Sequence, residues 1–159
     1  VTELVTLLRE RLRQGVPNRL ENSLRIKLRY TVQDLLKNRP EAESFMDMVT
    51  EDIAPSYYCA VPVAMHFNRI LARLNVANMN DHCYYTSLQS ILEDLQTIFD
   101  NCLLYNSPDS PLVSICSILV PALQKQLVNV LEKHENERDA LLVADSERKQ
   151  LELVETQKS

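Results

Sequence analysis

The chain has 159 residues, a formal net charge of −5, and 45% hydrophobic against 25% charged residues, close to the globular average and enough for one domain with some chain to spare. A single glycine, Gly15, against seven prolines argues against β-sandwiches, barrels and dinucleotide-binding folds and against glycine-rich phosphate loops, all of which need glycine for tight turns or close backbone approach. What remains is a helical protein whose charge is uneven: residues 1–39 hold nine Lys/Arg against four Asp/Glu, residues 40–131 three against ten, and residues 132–159 five against eight, so the chain as a whole does not attract nucleic acid by bulk electrostatics.

The first predicted helix covers residues 2–14, with Leu4, Leu7, Leu8 and Leu12 on one stripe, Thr2 as a cap and Gly15 as a left-handed stop. After a break at 15–18 comes a second helix over 19–38, with Leu24, Leu28, Val32, Leu35 and Leu36 as its apolar face; its arginines and lysines are expected on solvated faces, and Pro40 ends it. Residues 40–63 show no helical period, and a loop of that length in a compact domain points to function. A short helix follows over 65–74, then a polar loop at 75–82. The clearest stripe is Leu88, Ile91, Leu95, Ile98, Cys102 and Tyr105, widened by Leu92 and Phe99, which predicts a helix over 85–104. Ser110 as cap and Pro111 as first residue open a last helix to about 135. That helix is apolar almost all round from Leu112 to Leu123, which predicts a buried position, and Pro121 should weaken or kink it. Beyond His134 the chain is charged with a weaker apolar stripe (Leu141, Leu142, Leu151, Val154), read as a helical extension that frays. The division is thus 1–18, an extra helix and break; 19–135, the main domain; and 136–159, a charged extension or tail.

Cys59, Cys83, Cys102 and Cys116 form no CxxC pair or tight His/Cys cluster, so they read as buried free thiols in a reducing compartment rather than a disulfide frame or a metal site. His82–Cys83 alone does not make a metal site, and no cofactor is expected. No apolar run approaches the roughly 18 residues of a membrane span, and VTELVTLLRER is not a signal peptide; it reads as the start of a fragment of a larger intracellular protein. No nucleophile, base and acid stand at recognisable spacing, so the chain is expected not to be an enzyme.

Four patterns run in order over about residues 24–135: Phe45 with Val49 four residues on, PSYY at 55–58 followed by AMHF at 64–67, Tyr85 standing 21 residues before Asn106, and IFDNCLLYN at 98–106. Together they resemble a bromodomain, the acetyl-lysine-reading left-handed bundle of four helices with a long first inter-helix loop; here an all-α chain would add the N-terminal helix. Glu43-Ser44-Phe45 stands where the family has Trp-Pro-Phe, and Ala64 and His66 replace a proline and an aspartate. The YNSPDSPLV run and the missing tryptophan are similar to divergent members such as those attached to WD repeats.

The resemblance implies recognition without reaction. Asn106 would donate its side-chain NH2 to the acetyl carbonyl and Tyr57 would reach the same oxygen through a water. Val49, Phe45 and Ala54 would form the first-loop wall, Tyr105 would flank the asparagine, Leu112 would stand at the gatekeeper position, and Cys102 would line the deeper side. By themselves Asn106 also reads as a helix C-cap, Tyr57 and Tyr58 as packing residues, Cys102 as a small core residue, and Met65 and Phe67 as core. The implied partners are acetylated lysine peptides of histone-like tails, in a nuclear chromatin regulator, with a protein partner available to the N-terminal helix and neither nucleic acid nor membrane. The alternative is a bromodomain-like scaffold that no longer reads acetyl-lysine; a purely structural bundle or dimer is a third reading.

Overall fold

A computed structural model of the chain describes residues 19–50 and 52–158, with Leu4, Thr6 and Glu10 besides. The N-terminal helix expected over 2–14, with its cap and its Gly15 stop, otherwise lies outside the described residues. Leu4 is fully buried, and its N–H donates to Gln96 Oε1 at 2.7 Å.

Helix α1 spans Asn22–Asn38, α2 is one turn at Tyr57–Ala60, α3 spans Phe67–Leu74, α4 Leu88–Tyr105 and α5 Pro111–Lys158. The four longer helices form the bundle, with α1 packed on α3 and α5, and α4 on α3 and α5. The expected stripes make the core: Leu24, Leu28, Val32 and Leu35 from α1, Ile91, Leu92, Leu95, Ile98 and Phe99 from α4, and Leu119, Val120, Leu123 and Leu127 from α5 are all buried. Phe99 takes Phe45 and Phe67 edge-on, with ring centroids 6.3 and 6.2 Å away.

The helices start later than their apolar patterns suggest, because other structure claims their first residues. Arg19 bridges antiparallel to Ser87, with Leu20 N–H donating to Thr86 O, so α1 begins at Asn22 rather than 19. The same pairing delays α4 to Leu88, where Ser87 Oγ caps Ser90 N at 3.2 Å. Tyr85 precedes that helix as a buried anchor: its hydroxyl donates to Asp94, which also pairs with Arg73 at 2.8 Å. Arg25 is a correction to the solvated-face reading. It is only 3% exposed, its guanidinium lies 3.6 Å from the Tyr84 ring centroid and donates to the Tyr85 carbonyl, and burial lowers its pKa.

The 40–63 segment is also more ordered than its lack of period suggests. Pro40–Phe45 forms a 3-10 helix that buries Ala42 and Phe45, and Ser56, in the left-handed region at φ 62°, turns the chain into α2. Helix α5 opens as expected, Ser110 Oγ accepting from Leu112 N at 3.3 Å, but it differs in three respects. It is buried on one face only, since Ile118 is 50% exposed. It runs unbroken through Pro121, which lies on the solvent face where the carbonyl freed by the missing N–H meets water. It continues as helix to Lys158, past the expected end near 135, with Lys27–Glu137, Glu21–Arg138 at 3.2 Å and Glu21–His134 at 3.6 Å pairing it to the start of α1, although nothing described beyond Leu131 is buried.

By composition α5 contains a window apolar enough to cross a membrane, which the reading of apolar runs did not find; its Cys116, Leu119, Val120, Leu123 and Leu127 instead pack inside the bundle. All four cysteines are free thiols, but only Cys102 and Cys116 are buried; Cys59, on the one-turn α2, is exposed, and Cys83, between α3 and α4, is half-exposed.

Candidate functional site

The long loop and the end of α4 enclose a cavity of about 420 Å³ between them. All eight residues singled out in the sequence line it: Phe45, Val49, Ala54, Tyr57, Cys102, Tyr105, Asn106 and Leu112. They come from the 3-10 helix, the loop after it, α2, the end of α4 and the first turn of α5. Met65 and Ile98 complete the buried wall, so Met65 is both core and lining. Ile53, Met48, Ser44, Glu43 and Asp47 form the exposed lip.

Asn106 ends α4 in extended conformation, and both its backbone N–H and its side-chain Nδ2 reach the Cys102 carbonyl at 3.0 Å. The C-cap reading and the cavity-lining reading therefore hold together. The same Nδ2 lies 3.7 Å from Cys102 Sγ, a weak acceptor. The Cys116 thiol stays protonated, pushed up by its hydrogen bond to Cys102 and by burial, while that bond holds the Cys102 thiol below its ordinary value.

Tyr57 is 7% exposed and sits edge-on to Tyr105 at 5.1 Å and to Tyr58 at 5.4 Å. Burial first, then Tyr58 and Cys102, raise the pKa of its phenol, so it keeps its proton as a donor. Tyr58 is 43% exposed and is not a core residue; its hydroxyl pins the Val49 carbonyl at 2.5 Å. Tyr105 donates its hydroxyl to Pro55 O at 2.9 Å, tying the end of α4 to the turn that presents Tyr57.

One positioning residue had no role in the sequence reading. Asn101, 4% exposed on α4, donates Nδ2 to Val63 O at 2.6 Å, and its amide partly offsets the upward shift of the Tyr57 phenol. The signal was an amide on an otherwise apolar stripe, directly before Cys102, where burial demands partners.

The cavity's deep wall is apolar apart from the Asn106 amide, the Tyr57 hydroxyl and the Cys102 thiol. Among the described residues, lysine, arginine and histidine are missing from its lining, and the two carboxylates, Glu43 and Asp47, stand at the exposed lip. It can take a neutral amide on an aliphatic stem and offer its carbonyl a donor. Away from the cavity, Asp81, His82 and Cys83 bring ligand-type atoms within 4.8 Å of one another on an exposed turn, where Asp81 Oδ1 already accepts from Cys83 N–H at 2.8 Å.

Comparison with known proteins gives three findings. The family model described as Bromodomain matches residues 30–118. The SAGA complex subunit Spt7 of Schizosaccharomyces pombe is 29% identical over 121 residues, which are 72% of this chain but only 12% of that protein. The second bromodomain of Candida albicans Bdf1, solved bound to an imidazopyridine, matches with a TM-score of 0.58 and 21% identity, covering 67% of this chain and 99% of that one. The last likeness shows the fold, the all-helical bundle expected above.

Proposed function

The chain belongs to the bromodomain family, and we propose that it reads acetylated lysine on histone-like tails, without catalysis, within a nuclear, chromatin-associated protein. In this reading residues 19–135 are the reader and 136–159 an appended helix. The observation that carries it is the Asn106 amide on the wall of a cavity with an apolar floor and, among the described residues, no cation. One of its two hydrogens is held by the Cys102 carbonyl; the other is available to an acetyl carbonyl, which is a better acceptor than the Cys102 sulfur. Tyr57 reaches the same oxygen through a water, and Val49, Ala54, Phe45, Tyr105, Leu112 and Cys102 enclose the methyl and stem.

Selectivity follows from desolvation. An unmodified ammonium on that floor loses its water without meeting a carboxylate, at a cost of several kcal/mol. The neutral hydrogen bond contributes only about 1 kcal/mol net, so affinity is modest, roughly micromolar or weaker. The chromatin setting is supported by the relative's membership of the SAGA complex. A collapsed or filled pocket would favour the scaffold alternative, and a cavity of about 420 Å³ supports the reader.

Titration with acetylated and unmodified histone-tail peptides tests the proposal. Acetyl-dependent binding that weakens at least about fivefold in Asn106→Ala is expected. Binding indifferent to acetylation or to that substitution rejects it.

A further inference from the structure

The lip of the cavity has a chemistry that the floor does not explain. Among the described residues its charged groups are Glu43 and Asp47, both exposed carboxylates. Glu43 lies on the ridge between the cavity and a shallower neighbouring groove lined by Gln33, Leu36, Lys37, Pro40, Met46 and Leu71. Among the described residues its carboxylate has no hydrogen-bond or ion-pair partner; Lys37, in the same groove, is not paired with it. Asp47 accepts one hydrogen bond, from Asn68 Nδ2 at 2.6 Å, which leaves its charge in place.

Resting on the acetyl-lysine reading above, we infer that Glu43 and Asp47 select peptides in which the acetylated lysine stands beside an unmodified arginine or lysine. A lysine side chain inserted to the floor holds its own backbone at the cavity mouth. Its sequence neighbours, about 3.8 Å apart per residue, then pass over the lip. A basic side chain one or two positions away reaches one carboxylate, and an acidic one meets repulsion. The glutamate has a direct structural reason to act here: it occupies the wall of both cavities, so a peptide leaving the pocket toward the groove must cross it.

The measurement is a peptide titration by fluorescence anisotropy with the whole chain. Its probes are a peptide with a central acetyl-lysine between two arginines, the same peptide with glutamines in place of the arginines, and the unacetylated form of each. The basic-flanked acetylated peptide is expected to bind about fivefold tighter than the neutral-flanked one at low salt, from two exposed ion pairs. That ratio should fall toward one in the Glu43→Gln, Asp47→Asn double variant, and also in the native chain at roughly 0.5 M salt, where such pairs are screened. Because the readout is a ratio, an altered pocket or a partly unfolded variant does not imitate the effect.

A ratio of one in the native chain, or a ratio unchanged in the double variant, with acetylation still required, overturns the inference and leaves the acetyl-lysine reading standing. Binding indifferent to acetylation overturns the reading and the inference with it.

Discussion

Asn101 gives the most direct test of how the fold positions the pocket. Its amide donates to Val63 O at 2.6 Å, from a side chain 4% exposed. Asn101→Ala removes that bond, at about 1 kcal/mol net, and Val63, itself 57% exposed, lets its carbonyl turn to water. A loss of about 1 kcal/mol follows, or a fall of roughly 2–6 °C in Tm for a domain of this size. The Asn101 amide also holds the Tyr57 phenol down against the effect of burial, so its pKa should rise further in the variant. Urea denaturation gives the stability, ultraviolet titration the phenol, and peptide titration the pocket. A stability loss below about 0.5 kcal/mol, with Tyr57 titrating unchanged, would refute the clamp.

Two other perturbations probe the core and the pH response. Phe99→Ala, which removes the ring that meets both Phe45 and Phe67, should cost about 3–5 kcal/mol in urea denaturation and loosen the Phe45 wall; a cost below about 1 kcal/mol would mean the ring is not the hub. His66 is held below its ordinary pKa of 6.5 by burial and then by Arg69, partly offset by Asp47. The unfolded chain therefore binds that proton more readily, and stability falls as pH drops through 6.5 toward the lower folded value. Melting temperature against pH should show a shallower acid-side slope in His66→Gln than in the native chain, and identical slopes would count against the assignment.

Much of the site was legible because its residues obey local rules. The NCLLYN run ends a strongly periodic helix, and a helix end fixes where Tyr105 and Asn106 go relative to Cys102; Phe45, Val49 and Tyr57, on a loop without period, were placed by the resemblance to a bromodomain. What was not legible depends on contacts between distant segments. Arg25 looks like any helix-surface arginine until Tyr84 and Tyr85 are brought over it. The starts of α1 and α4 were misjudged because the Arg19–Ser87 bridge takes residues that their apolar pattern assigns to helix. Helix α5 beyond 135 has little apolar reason to persist, and its ion pairs to Glu21 and Lys27 link residues more than a hundred positions apart. The acids of the lip were visible in the segment's charge, but only the folded loop sets Glu43 and Asp47 at one mouth.

On the proposed reading, floor and lip control different quantities. The floor discriminates mainly by penalty, since it costs an ammonium several kcal/mol of hydration while giving an amide only about one. The lip carboxylates act on the flanking residues and so attract acetylated and unmodified peptides alike, by about 0.2–1 kcal/mol per pair. Strengthening the lip therefore raises affinity without sharpening acetyl selectivity, and weakening Asn106 lowers affinity for the acetylated form while the barrier to ammonium stays. A reader built this way gains preference for basic tails at no cost to discrimination only because its charges stay outside the cavity. Moving one carboxylate inward, as in Ala54→Asp at the buried wall, would supply the missing counter-ion and erase the difference between the two lysine states.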